Sequence, residues 1–274
     1  MSLVASSQAK ESRIPTSADT VRLLVGVPCT QTGITESFLH SLLALQRHCM
    51  SLGWELQVQT RTDGLVTRTR NIFGSLMVHS EAHTHLLMVD ADIGFEPQVV
   101  ERLVRSGLDV VGACVPLREV RWSLVGEALE DVPGLQAEEL QAISHRYAVS
   151  LMIDGPSQAR REGFQQASFI GSGLMLVRRQ VFVQLAVSAQ VAAYQSGTPC
   201  ADGTSCGWTF FDPLVDPIGK TYLSEDYAFC RRWRDLGGAV WADLRSRTTH
   251  SGLVTIQGDM ALTLKTQARQ VLGT

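Results

Sequence analysis

The first 115 residues alternate between strand-like and helix-like patterns, and that alternation restricts the fold more than any other feature of the chain. Val21 to Val27 (VRLLVGV) is a continuous apolar run, as expected of a strand covered on both faces, and it stops at Pro28. Residues 32–52 show helical spacing through Phe38, Leu42, Leu45 and Met50 and end at Gly53. Residues 54–60 alternate through Trp54, Leu56 and Val58, which predicts a second strand. A further helix is predicted over 66–80, a third strand over 85–89, a short helix over 98–106 and a fourth strand over 108–115. The β-α-β-α-β-α-β order predicts an α/β fold with a mostly parallel central sheet and helices on both faces.

The third strand runs into Val89-Asp90-Ala91-Asp92-Ile93-Gly94. Two carboxylates two residues apart project to the same side of an extended backbone. Holding them beside a sheet is costly without positive compensation. The commonest compensation is a divalent cation, which takes hard oxygen ligands and neutralises phosphate charge. The pair therefore points to metal-dependent chemistry on a phosphorylated substrate, although Asp also caps turns. Ligands of open α/β sheets bind beyond the carboxyl ends of the strands. Pro28-Cys29-Thr30 and Asp90 to Asp92 both fall at such ends.

The second half is less regular. Residues 118–165 mix short apolar pieces with Gly, Pro and acidic residues, and a strand pattern over 168–177 is interrupted by Gly171-Ser172-Gly173. A helix is predicted over 179–193, then a Pro/Gly/Asp-rich loop over 197–219 of the length typical of lids and binding loops. A last helix is predicted over 224–236, with Ser224 as N-cap, Glu225 and Asp226 in the first turn and Gly237 at its end. A short strand over 239–242 and a polar stretch to His250 follow. Trp122, Trp208, Phe210 and Phe211 are candidates for an aromatic stacking platform, and Arg231, Arg232 and Arg234 for a solvated face.

Of the 274 residues, 45% are hydrophobic and 19% charged, and the net charge is −3, so no broad positive field draws nucleic acid or anionic membrane. The first twenty residues lack the apolar stretch of a signal peptide, and no window approaches a transmembrane span. Four of the six cysteines sit in apolar patterns, while Cys200 and Cys206 flank a loop without a neighbouring His or a CxxC. A reduced, cytoplasmic protein is expected.

VGVPC (25–29), TRTRN (67–71), LLMVDADIGFEP (86–97), FIGSGLMLVRR (169–179), SEDYAFCRRWRDLGG (224–238) and His250 occur in this order. The series resembles the GT-A glycosyltransferases, the nucleotide-diphospho-sugar transferase superfamily, of family-2-like type. The resemblance extends over residues 21–252. It implies that Pro28, Cys29 and Thr30 line a nucleoside pocket and that Arg70 and Asn71 face the nucleotide. It further implies that Asp90 approaches the ribose or the metal's water shell, that Asp92 binds the metal directly and that His250 completes its coordination. Gly171, Ser172 and Gly173 would admit the donor sugar, and Glu225 or Asp226, with Asp226 preferred, would be the general base of an inverting reaction.

The implied cofactor is Mn²⁺ or Mg²⁺, the donor a UDP- or GDP-linked sugar, and the acceptor a hydroxyl on a glycan, lipid or protein. On this reading 1–20 is a flexible tail, 21–115 the nucleotide-binding half, 116–254 the donor-sugar and acceptor half, and 255–274 a C-terminal helix or tail. Two other functions use similar features. A haloacid-dehalogenase-like phosphatase or phosphotransferase also ends an apolar strand in DxD, but on its first strand, and here Lys220 and Gly258-Asp259 match its later motifs only loosely. A non-catalytic module of GT-A fold would bind nucleotide-sugar without turnover.

Overall fold

The computed structural model describes residues 20–29, 33–152, 160–195, 206–253 and 260. Its first half contains β1 (Arg22–Cys29), α1 (Glu36–Leu52), β2 (Glu55–Thr62), α2 (Val66–His79) and β3 (His85–Val89), then β4 (Ile93–Phe95), α3 (Pro97–Arg105) and β5 (Val110–Ala113). The helical hairpin of α4 (Trp122–Asp131) and α5 (Ala137–Ile143) follows. Next come β6 (Val149–Leu151), β7 (Arg160–Arg161), β8 (Phe164–Ile170), β9 (Leu174–Arg178) and α6 (Arg179–Ala186). Short pieces β10 (Ala193–Gln195), β11 (Cys206–Trp208), β12 (Leu214–Val215) and β13 (Tyr222–Leu223) lead to α7 (Glu225–Asp235), β14 (Val240–Asp243) and β15 (Thr248–His250).

The main sheet has the order β2-β1-β3-β9-β5-β14-β8-β6, with β7 also paired to β8. Following the pairings through the sheet, every strand points the same way except β8 and β9. The sheet is thus mostly parallel in strand direction, as the alternating pattern predicts. The exception is informative: β9 lies antiparallel between β3 and β5, so the third and fourth parallel strands are not neighbours. The pattern predicted over 168–177 divides at the Gly171-Ser172-Gly173 turn into β8 and β9, which lie apart in the sheet.

The apolar runs are continuous because both faces of the sheet are covered. Along β1, Leu23, Val25 and Val27 enter one core with α1 and α3, and Leu24 enters the other with Phe73 and Met77 of α2, Phe182 of α6 and Phe229 of α7. This is the two-residue period of a strand buried on both sides. Helix α1 starts at Glu36, later than its apolar spacing predicts, because Thr35 accepts the Phe38 N–H and caps it. Its buried face is Phe38, Ser41, Leu45 and Cys49, whereas Met50 is exposed. Cys49 and Cys230 serve as small hydrophobes, and burial pushes their thiols up to about 11 and about 12. Buried Asp243, at the end of β14, takes a two-pronged ion pair from Arg102 and so ties α3 to the sheet. Among the described residues no helix is long and apolar enough to cross a membrane.

One buried residue gives the fold a pH dependence of its own. His85 on β3 is 8% exposed, and burial, helped by the charge of Arg178, pushes its imidazole down to about 4. In the unfolded chain the same group titrates at about 6.5, so between these values the unfolded state holds more protons. The stability that follows is complete above pH 6.5 and is lost as pH falls toward 4, by about 3 kcal/mol. Urea denaturation at pH 7 and pH 4.5 is expected to show the loss in the wild type, and a smaller one in His85→Leu.

Candidate active site

A cavity of about 1190 Å³ opens at the carboxyl ends of β1 and β3. Pro28 and Cys29 end β1, Thr35 starts α1, Asp63 follows β2, and Asp90 and Asp92 follow β3, so four segments converge on one rim. Helix α2 contributes Arg70, helix α7 contributes Glu225, and the chain after β15 closes one side with Ser251 and Gly252. Thr30, read with Pro28 and Cys29 as a nucleoside contact, lies outside the described residues.

Asp92 and His250 face each other across this rim. Strand β15 pairs antiparallel with β4, setting His250 opposite Ile93 and Thr249 opposite Gly94. Glycine is required at that crossing because a Cβ on residue 94 would overlap Thr249 Oγ1 and touch Ser37. The Ser251 N–H donates to the Asp92 carbonyl at 2.9 Å, which fixes the pair from the backbone. His250 Nδ1 lies 2.7 Å from the Pro116 carbonyl and donates to it, which turns Nε2 toward Asp92 Oδ2 at 3.6 Å. Arg118 Nη1 donates to the same Oδ2 at 3.1 Å. Burial opposes charge on Asp92, but His250 and Arg118 outweigh it and hold the carboxyl below its ordinary value. His250 is raised by its bond to Asp92, against burial. Among the described residues no three His, Cys, Asp or Glu side chains form a complete metal cage.

The other half of the site is organised by Arg70. Its guanidinium is buried, bonded to Asp90 Oδ1 at 2.7 Å and to Glu225 Oε1. Burial opposes its charge, and Asp90, Glu225 and Asp226 overcome that and hold its pKa above the ordinary value. Asp226, next to Glu225, accepts from the Ser224 hydroxyl and the Tyr227 N–H through Oδ1. The turn from β8 to β9 runs between these acids: a Cβ on Gly173 would lie 3.6 Å from Asp90 Oδ2, and one on Gly171 would lie 3.6 Å from Asp226 Oδ2. A Cβ on Gly171 would also stand 2.8 Å from the Ala148 methyl, so the close approach needs glycine. Between them Ser172 is 2% exposed, and its Oγ has no hydrogen-bond partner among the described residues. Glu225 lines the cavity, whereas Asp226 and the Gly171-Ser172-Gly173 turn stand outside its lining.

Several residues singled out in the sequence have structural partners. Asn71 is buried, its amide donating to Asp212 at 2.7 Å and accepting the Phe211 N–H at 2.7 Å. Arg232 is not a solvated side chain: it is 7% exposed and donates to the carbonyls of Gln190, Phe210 and Asp212. The two residues clamp the segment before β12 from α2 and α7. Phe210 and Phe211 are fully buried core side chains rather than an aromatic stacking platform, and Trp208 is half-buried against His79. Trp122 is exposed at the start of α4. Cys206 is a free thiol, and Cys200 lies outside the described residues. Two charged cavity residues are not singled out by the sequence patterns, Asp63 and Arg118. Both follow carboxyl ends of parallel strands, β2 and β5, and the strand-end rule that selects Pro28 and Asp90 selects them equally.

No protein-family model and no curated protein sequence matches the chain. Among solved structures it is similar to A197 from STIV, at 13% identity and a TM-score of 0.42, covering 87% of this chain and 99% of that one. It is also similar to GalNAc-T7 solved with UDP, GalNAc and Mn²⁺, at 11% identity and a TM-score of 0.45, covering 93% of this chain but 48% of that one. A third likeness is to the catalytic domain of Drosophila β1,4-galactosyltransferase 7 in complex with xylobiose, at 12% identity and a TM-score of 0.44, covering 90% and 80%. At these identities and scores the activity has to be read from the chain's own residues.

Proposed function

We propose that the chain is a metal-dependent glycosyltransferase of GT-A type that moves a sugar from a UDP- or GDP-linked donor to an acceptor hydroxyl with inversion. The observation that carries this reading is the Asp92–His250 pair, with Nδ1 of His250 tied to the Pro116 carbonyl and Nε2 turned to Asp92 Oδ2 at 3.6 Å. Two ligands each about 2.1 Å from one ion stand at most about 4.2 Å apart, so the pair fits a shared Mn²⁺ or Mg²⁺. Such ions are commonly held by one or two protein ligands and complete their shell with substrate phosphates and water. A pair at the rim of an open cavity suits that better than a closed cage.

The charge balance supports the same reading. Asp63 is matched by Arg68 at 2.6 Å, which leaves Asp90, Asp92 and Glu225 against Arg70, Arg118 and His250 around the cavity. With its cationic groups already matched to carboxylates, the cavity has no positive surplus to neutralise a diphosphate, and a divalent cation entering with it would supply that charge. When bound, the ion acts as a Lewis acid that stabilises the charge developing on the leaving diphosphate. Asp92 and His250 would hold it. Pro28 and Cys29 bound the nucleoside end of the cavity, and Arg70 keeps Asp90 oriented toward the ribose side.

The donor sugar then belongs at the Gly171-Ser172-Gly173 turn. Glu225 is committed to Arg70, while Asp226 Oδ2 borders the turn with its Oδ1 already anchored. Asp226 is therefore the proposed base. The acceptor oxygen bonds to the anomeric carbon, the bond from that carbon to the phosphate oxygen breaks, and the acceptor's proton passes to Asp226.

The phosphatase reading is weaker because Asp90, the first carboxylate of the DxD, has one oxygen held by buried Arg70. Calorimetric titration of the whole chain with UDP and GDP, with and without Mn²⁺, tests the proposal. Binding of one of them that requires Mn²⁺ is expected, followed by turnover of the matching sugar nucleotide with an acceptor panel. Binding only of fluoride-based phosphate mimics would favour the phosphatase, and Mn²⁺-dependent binding with no turnover the binding module.

A further inference from the structure

Arg118 enters the reading above only as a charge, yet it is bonded to one member of the metal pair. Its Nη1 donates to Asp92 Oδ2 at 3.1 Å, the oxygen that also faces His250 Nε2 at 3.6 Å. Its stem lies against the backbone at Gly252, where a Cβ would stand 2.5 Å from Arg118 Cδ, so glycine at 252 lets the side chain lie down toward Asp92. Arg118 and Arg70 are the two guanidiniums lining the cavity, and they are held differently. The Arg70 side chain is 4% exposed and bonded to two carboxylates, whereas that of Arg118 is 52% exposed and, among the described residues, bonded to Asp92 alone.

An exposed guanidinium on a long stem re-aims at little cost, and its planar fork matches phosphate oxygens as well as carboxylate oxygens. A divalent ion held by Asp92 would compete with this guanidinium for Oδ2 and repel its charge. Freed from Asp92, Arg118 would remain on the cavity rim, where its fork could bond diphosphate oxygens.

We infer that Arg118 is an exchangeable counter-charge: it neutralises Asp92 before the metal arrives and then becomes a ligand of the donor's diphosphate. The inference rests on the metal-and-diphosphate reading proposed above. It predicts opposite effects of one substitution on two ligands, which neither a simple phosphate-binding arginine nor a purely structural one produces.

The test uses the full chain with Arg118→Gln and Arg118→Lys, titrated with Mn²⁺ alone and then with UDP or GDP, whichever the wild type binds, at saturating Mn²⁺. Arg118→Gln is expected to bind Mn²⁺ alone about two- to fivefold more tightly, the worth of an exposed ion pair. It is expected to bind the nucleoside diphosphate about tenfold or more weakly, the worth of a charge-assisted bond to phosphate. Arg118→Lys, which keeps the charge without the fork, is expected to fall between the two. Unchanged or weaker Mn²⁺ binding in Arg118→Gln, or unchanged diphosphate binding, overturns the inference. A wild type that binds neither nucleotide in a Mn²⁺-dependent way overturns the underlying site reading instead, and does so before any substitution is made.

Discussion

Asp92→Asn is expected to weaken Mn²⁺-dependent binding of the nucleoside diphosphate by at least about 100-fold, with little change in the unfolding midpoint. Loss of a partner that only orients a metal ligand already costs about 10- to 100-fold in affinity, and Asp92 is proposed as the ligand itself. A factor of 100 is about 2.7 kcal/mol, a reasonable value for removing a full negative charge from the ion's first contact. The fold is expected to survive because Asp92 is held mainly by its backbone, through the Ser251 N–H and the turn to Ile93, and both remain. Its side chain is partly exposed, and asparagine keeps its shape. Calorimetry with Mn²⁺ and nucleotide beside a thermal melt separates the two effects. Wild-type Mn²⁺ dependence in a folded Asp92→Asn protein would move the metal away from the DxD.

The parts of this site legible in the sequence are those set by local pattern. Burial on both faces makes β1 and β3 continuous apolar runs, so their ends, and with them Pro28 and Asp90, are readable from composition along the chain. Strand direction and neighbour order leave no such mark. Leu174 to Val177 is as apolar as a parallel strand, and nothing in its two-residue period says that it enters antiparallel between β3 and β5. The same limit hid the clamp on the segment before β12. Asn71 and Arg232 are polar residues in helical stretches, and their partners at Phe210 to Asp212 are set by tertiary packing. Arg118 is marked by its place after β5 but not by its partners. It sits in an irregular stretch, and its importance comes from β15 bringing His250 to Asp92, a pairing between segments over 150 residues apart.

Asp226→Asn is expected to retain Mn²⁺-dependent donor binding and to lower transfer by about 10²- to 10⁴-fold, the usual contribution of a positioned general base. The neighbouring acid provides the control, because the structure gives the two carboxylates different work. Glu225 is bonded to the buried Arg70 guanidinium, which also holds Asp90. Glu225→Gln therefore removes one of the two carboxylates bonded to a buried cation, and is expected to cost about 1.5–3 kcal/mol of stability. Asp226 acts on Arg70 only through its unbonded charge and is itself bonded to Ser224 and to the Tyr227 N–H, both of which an asparagine oxygen can still satisfy, so Asp226→Asn is expected to melt closer to the wild type than Glu225→Gln. Transfer rate and melting point thus move in different variants if Asp226 is the base and Glu225 the support. A Glu225→Gln protein that melts normally but has lost transfer, beside an Asp226→Asn protein that transfers at the wild-type rate, would exchange the roles. In that case the base would be a carboxylate that must release Arg70 before it can accept a proton, and transfer would depend on breaking that ion pair.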